Sequence, residues 1–328
     1  MMDLSRSTDA SLAGTNSLVP ASSRAGVGSA APKIRRRLFA GGIPAWLQAM
    51  PMGLIFALFF VIPLLLVVLV SFWDYNDYEI LPTFTLRSYT ETFEGCVDQL
   101  PGLCTILKTY VTTVEFCAVV WALTLVIGFT ISYFLAFHVR SLTVQMGLAL
   151  LCTIPFWTSN VIRMISWIPL LGRNGLVNQA LTSAGIIDKP LEWLLYSPFS
   201  VVLAFVHLFT FFMVIPIFNS MVRIDKRLVE AAYDAGASAW QTLWNVVVPL
   251  SKPGIVIGSI YVVTIVMGDF ITVGVMGGQQ IASAGKIIET RLNALQFPPA
   301  AANAVILLVA TLLIIKALTS LVDIRKEL

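Results

Sequence analysis

A chain of 328 residues that is 57% hydrophobic and 12% charged, with a mean hydropathy of +0.85, is too apolar for a soluble domain. It reads as a polytopic membrane protein. The net charge of +3 says nothing about nucleic acid, and the basic residues serve as markers of topology.

Residues 1–32 are rich in Ser, Ala, Gly and Thr and lack apolar periodicity. They predict a disordered cytoplasmic tail over residues 1–45, with the basic run from Lys33 to Arg37 as a stop for translocation and a contact for anionic lipid. The remaining domain, 46–328, carries six apolar stretches at about 52–73, 109–137, 147–171, 198–222, 254–276 and 300–322. Each is long enough to cross a hydrocarbon core of roughly 30 Å. The first has no small-residue cleavage site and is expected to stay as an anchor. Pro155, Arg163 and Pro169 interrupt the third.

The first external loop, about 74–108, is acidic: Asp74, Asp77, Glu79, Glu91, Glu94 and Asp98 stand against Arg87 and Lys108. It reads as a solvated loop, or as one that meets a delivering protein or concentrates cations. Cys96 and Cys104 share this loop. They are candidates for a disulfide if it faces an oxidising compartment, two free thiols being the alternative. Cys117 and Cys152 lie in spans and read as small apolar residues. Residues 172–197, with the turn Gly172-Arg173-Asn174-Gly175, suit a helix lying on the membrane surface.

Residues 223–253 form a polar interruption between two spans. Lys226, Glu230 and Asp234, four apart, share one helical face, and Leu228, Ala231, Ala232 and Ala235 make a narrow apolar face opposite. Gly236 stands where a helix ends in a left-handed residue. Ser238-Ala239-Trp240-Gln241 is a capping-box pattern opening a second helix, expected to run to Pro249, with Pro253 opening the fifth span. Such a helix–Gly–helix wedge is shaped to dock into a groove on another protein. Arg35, Arg36, Arg37, Arg140, Arg223, Lys226, Arg227, Lys252, Arg325 and Lys326 all fall on the side of this loop. The positive-inside rule therefore makes the loop and both termini cytoplasmic.

Ionisable groups inside spans are costly and point to function. Asp269 is expected deep in the fifth span and Arg163 in the third, with Glu115 and Lys316 nearer span ends. Asp269 reads either as a carboxylate that attracts or gates a cationic solute, or as the ion-pair partner of Arg163. Trp157, Trp167, Tyr261 and Phe270 interleave with these positions, and aromatic faces hold ammonium groups at about 0.5–2 kcal/mol each. These six residues form the expected substrate pathway. His138 and His207 lack partners at metal spacing and read as structural, so no metal site is expected. The sequence has no phosphate-binding loop, nucleophile elbow or HExxH pair. It is therefore expected to be non-catalytic and to bind no cofactor of its own.

The Glu230-Ala231-Ala232 triplet, the glycine six residues after the glutamate and the hydrophobic run ending at Pro249 closely resemble the EAA loop of ABC importer permeases. The runs IPFWTSNVIRMISWIPLLGRNGLVNQAL, GDFITVGVMGG and GKIIETRLNAL are similar to those of the spermidine/putrescine-type (potB-like) permease subunits, and the similarity extends from about residue 50 to the C-terminus. The resemblance implies an all-α, six-helix transmembrane fold of the type I ABC importer permease. Glu230, Ala231, Ala232, Asp234 and Gly236 would then couple to an ATPase. It further implies a second permease subunit, two cytoplasmic ATPase subunits carrying ATP and Mg, and a periplasmic solute-binding protein, all at the bacterial inner membrane. The solute is expected to be a small cation such as a polyamine, with iron, an aminophosphonate or an opine-like amino compound as alternatives. A reading from another class, a secondary transporter using Asp269 as the coupling-ion carboxylate, leaves the wedge unexplained and lacks a visible inverted repeat. The long N-terminal tail and the Cys96/Cys104 pair depart from the family pattern.

Overall fold

The computed structural model describes residues 45–76, 79–94, 96, 104–278 and 280–320. The expected disordered tail thus lies outside the described residues, apart from Ala45. The chain divides into two units, residues 1–54 and 55–328. The first shows only the opening of helix α1 (Ala45–Phe56). In the second, α1 ends, a π-turn covers Ala57–Val61 and α2 covers Ile62–Val70. From Gln48 to Val70 no residue is buried; Leu66, Val67 and Val70 lean on the start of the last helix beside Ala300 and Ala301, and the rest of the span is left to lipid or another chain.

A short segment outside the long apolar helices follows. Strands β1 (Trp73–Tyr75) and β2 (Ile80–Phe84) pair antiparallel, and helix α3 spans Arg87–Thr92. This hairpin is a small exception to an otherwise helical chain. Arg87 bridges Asp74 at 3.2 Å and Glu91 at 2.6 Å, and the Tyr75 hydroxyl donates to Glu91 at 2.7 Å. Burial, and then the bond to Glu91, raises the Tyr75 phenol above its ordinary range and keeps it a donor. Two carboxylates of the acidic loop are therefore occupied within the loop itself. Cys96 and Cys104 are joined as a disulfide, with their Cα atoms 4.7 Å apart.

The core is built by α4 (Thr105–Tyr133), α9 (Pro198–Val222) and α12 (Val248–Gly268). On α4 the buried residues are Thr109, Thr113, Cys117, Val120, Thr124, Gly128 and Ser132, a stripe of small side chains three to four apart. Small stripes let membrane helices approach closely, because packing and interhelical hydrogen bonds, not a hydrophobic drive, hold them together. A Cβ on Gly128 would lie 2.8 Å from Met213 Cγ, and one on Gly258 would lie 2.8 Å from Met213 Sδ. Met213 is thus clamped between two helices that offer it glycine. Hydrogen bonds cross the same interfaces: Trp121 Nε1 to Ser259 Oγ at 2.8 Å, and Ser132 Oγ to the Val214 carbonyl at 2.9 Å.

The third apolar stretch is broken. Helix α5 (Leu142–Leu151) and a short 3-10 turn over Ile154–Trp157 end before α6 (Asn160–Ile165), α7 (Ile168–Leu171) and α8 (Leu176–Ser183), and the two halves meet at 87°. Pro155 and Pro169 sit in the first turns of their pieces, where a missing N–H costs nothing. Asn178 is 2% exposed. It ties this region together, donating to the carbonyls of Gly172 and Leu191 and accepting from the Leu191 N–H. The described residues therefore hold five helices able to cross a membrane, and a sixth if the bent pair counts as one span. Helix α14 (Ala284–Asn293) leads to the last of them, α15 (Phe297–Ser320).

Candidate functional site: the helix–Gly–helix wedge and the polar residues of the spans

The wedge begins where α9 ends. Ile224 is buried and anchors the turn, and the Asp225 carboxylate accepts from the Arg227 N–H at 3.0 Å to open helix α10 (Lys226–Asp234). No residue of α10 is buried, although the helix is strongly two-faced. Only Val229 leans on the core. Leu228 and Ala231 are exposed on the apolar face, and Glu230 and Asp234 on the acidic one.

The helix stops at a Schellman motif. The Ala237 N–H reaches back to the Ala232 carbonyl at 2.9 Å and the Gly236 N–H to Tyr233 at 2.9 Å, with Gly236 at φ +86° between them. The second helix, α11 (Ala239–Thr242), opens on a complete capping box: Ser238 Oγ accepts from the Gln241 N–H at 3.3 Å, and Gln241 Oε1 accepts from the Ser238 N–H at 2.8 Å. The angle between α10 and α11 is thus fixed by hydrogen bonds at both ends of a four-residue link, 235–238.

The helix does not end at Pro249. A π-turn over Leu243–Val247 joins α11 to α12, giving one helix from Ala239 to Gly268 with Pro249 and Pro253 inside it. The π-turn widens the helix just where Pro249 removes a donor and crowds the carbonyl four residues back, so the chain continues. Trp240 and Trp244, unremarked in the sequence, stand exposed on this stem with ring centroids 5.6 Å apart.

Within the spans the expected residues do not converge on one site. Helix α12 ends at Gly268, and Asp269 stands partly buried at a break in the fifth apolar stretch, between two helices instead of within one. Its extended backbone opens the short helix α13 (Ile271–Met276), and its carboxylate accepts from the Thr272 N–H at 2.7 Å and the Thr272 hydroxyl at 2.9 Å. A side chain that satisfies the first free N–H groups of the next helix explains why the chain breaks here. Arg163 donates to Asn160 Oδ1, and no ion pair joins it to Asp269. Trp167 Nε1 donates to His207 Nδ1 at 3.2 Å, which gives His207 a partner that sequence spacing did not reveal. Tyr261 belongs to an aromatic wall, 6.3 Å from Phe212, which in turn lies 5.4 Å from Phe156. On α12 the residues Ile257, Tyr261, Thr264 and Gly268 form one exposed stripe leading toward Asp269 and Phe270. Trp157 is 83% exposed beside Phe156. Glu115 faces a cleft of about 480 Å³ between α4 and α9, lined by Phe116, Val119, Phe199 and Val202.

Residues 38–326 match the family model described as binding-protein-dependent transport system inner membrane component. The chain belongs to this family. It is the permease subunit of an ABC importer, a multi-pass inner-membrane protein. The spermidine/putrescine transport system permease protein PotB of Escherichia coli (strain K12) is 31% identical over 255 residues, 76% of this chain and 87% of that protein. The PotB of Haemophilus influenzae is 29% identical over 249 residues, 74% of this chain and 82% of that protein. A solved bacterial alginate ABC transporter, in complex with an alginate-pentasaccharide-bound periplasmic protein, contains a chain of the same fold. It has a TM-score of 0.62 at 15% identity and covers 84% of this chain and 92% of that one. Family membership sets aside the secondary-transporter reading.

Proposed function

We propose that this permease subunit imports a polyamine of the spermidine/putrescine class. A periplasmic binding protein delivers the solute to the external face, and ATP is hydrolysed, with Mg, on separate cytoplasmic subunits. A second, different permease chain completes the pathway. Both termini and the wedge face the cytoplasm. The observation that carries the reading is α10: a two-faced helix without a single buried residue, locked to its stem by a Schellman turn and a capping box. Such a surface is complete only against another protein. Glu230, Ala231, Ala232, Asp234 and Gly236 are its coupling residues. The similarity to the two PotB proteins supports the polyamine.

The solute path in this subunit follows the exposed stripe of α12, with Tyr261 and its aromatic neighbours as faces for ammonium groups and Asp269, Phe270 and Trp157 toward the ends of the wall. The test is uptake. The importer is reconstituted with its binding protein, and ATP-dependent entry of labelled spermidine and putrescine is measured beside an opine-like amino acid and an aminophosphonate. Selective uptake of the polyamines is expected. A binding protein that takes only an anionic solute overturns the substrate.

A further inference from the structure

Arg163 is chemically incomplete within this chain. Its Nε is buried and bonds to nothing, and its one bonded nitrogen, Nη2, donates to the neutral Asn160. The two side chains beside it worsen the balance. Trp167 is a donor only, and it has spent its N–H on His207 Nδ1. With Nδ1 accepting, the imidazole proton of His207 sits on Nε2, a further donor. Arg163 stands four residues before Trp167, whose indole N–H bonds His207, so the three side chains share one locality. Donors accumulate there and acceptors are missing.

His207 stands nine residues past Pro198 on a 25-residue apolar helix, about 14 Å along its axis at 1.5 Å per residue, and so well away from either helix end. The surface around Arg163 is apolar and open: Ile162 is 66% and Ile165 51% exposed. Lipid against this surface would leave a guanidinium without a counter-charge in hydrocarbon, a costly arrangement. The nearby carboxylate of this chain, Asp269, is committed to Thr272, and no ion pair among the described residues includes Arg163.

We infer that Arg163, flanked by Trp167 and His207, docks a carboxylate of the second permease subunit. The Nη1 and Nη2 end of the guanidinium fits a carboxylate with two parallel bonds, and the His207 Nε2–H is a further donor in the same locality. This inference rests on the two-permease, cation-importing reading above. A cationic solute supplies no acceptor, so the acceptor comes from the neighbouring chain. It also moves Arg163 out of the solute path, where a fixed positive charge would oppose a polyamine.

The experiment uses the assembled importer in membranes. Co-purification of a distinct permease with the wild-type chain tests the two-permease reading first and separately. The Arg163→Lys variant is then treated with dicyclohexylcarbodiimide, which activates carboxylates in hydrocarbon so that a close amine forms an amide. A cross-linked band of summed subunit mass is expected, mapped by mass spectrometry to position 163 and an Asp or Glu of the second permease. Arg163→Gln gives no band. Arg163→Glu, at unchanged membrane level of this chain, lowers recovery of the second permease about thirtyfold or more, the loss expected for removing one member of a buried charge pair. The inference is overturned by a cross-link within this chain or to a second copy of it. It is equally overturned by full recovery of the second permease with Arg163→Glu, or by loss of anionic-solute binding alone, which would assign Arg163 to the solute.

Discussion

Gly236 is the residue on which the wedge turns, and its geometry allows a clean separation of backbone from side-chain effects. Its φ of +86° lies in the left-handed region, yet a Cβ built there meets nothing within 4 Å. Replacing it therefore causes no collision, and the whole penalty is conformational. For an L-residue that penalty is about 1–2 kcal/mol, a factor of about 5–30 in the population of the turn. Gly236→Ala should show this penalty, Gly236→Val a larger one because β-branched residues avoid positive φ, and Gly236→Asn the smallest because asparagine enters this region readily. Each variant puts at risk the bonds from Ala237 to Ala232 and from Gly236 to Tyr233, which set the angle between α10 and α11. Since α10 buries nothing, the transmembrane core should be untouched. The assay is ATP-driven uptake in proteoliposomes, with co-purified ATPase and membrane level measured in parallel. Uptake should fall in the order Asn, Ala, Val while membrane level stays constant. Wild-type uptake by Gly236→Val, or an asparagine variant as damaged as the valine one, refutes the argument that φ is what matters here.

Glu230→Lys reverses the charge on the exposed face of α10 and should lower ATPase association at unchanged membrane level. A single cysteine at Ser238 should resist an impermeant thiol reagent applied to intact spheroplasts, whereas one at Asp188 should react; the opposite pattern would invert the topology. Gly254→Ala should reduce folded protein more than Gly258→Ala. The new methyl at 254 meets backbone, with Ile217 Cα at 2.9 Å, whereas at 258 its nearest neighbour is the flexible Met213 thioether at 2.8 Å; overpacking of this kind costs about 1–3 kcal/mol. Gly236→Ala and Asp269→Ala should be non-additive in uptake if the helix between them transmits force, whereas additivity within about 0.3–0.5 kcal/mol would mean the two ends act independently.

The wedge was legible because its signals are local. A capping box, a C′ glycine and four-residue charge spacing are read within single turns, and the structure forms each of them where the residues stand. The spans were legible as apolar runs, but their ends were not. Proline at 249 reads as a stop, and only the preceding π-turn, which has no compositional signature, lets the helix pass through it. Asp269 reads as a buried charge because hydropathy averages over Gly268. That it caps α13 depends on where Thr272 falls in space. The stripe from Thr109 to Ser132 and the Gly254/Gly258 pair place small residues at helix-packing intervals, but the apolar runs that hold them do not set those positions apart. What they pack against was not visible, since Met213 lies more than eighty residues from Gly128 in the chain.

The continuous helix from Ala239 to Gly268 links these observations. At 1.5 Å per residue its 30 residues span about 45 Å, from the wedge to the edge of Asp269. Its N-terminal end is fixed to α10 by the Schellman turn and the capping box. Its middle is clamped to α9 where glycines at 254 and 258 allow backbone contact, and its C-terminal end feeds directly into the capped start of α13. A body held this way moves as a rod about its clamp, because close-packed contacts shift between discrete arrangements more readily than they stretch. The face of the rod away from the clamp carries the exposed Ile257, Tyr261, Thr264 and Gly268. A displacement imposed at Glu230 on α10 would pass through the Schellman turn and the capping box into this helix and so to the proposed solute-facing stripe. The glycines that permit tight packing against α9 would then set the pivot of that movement.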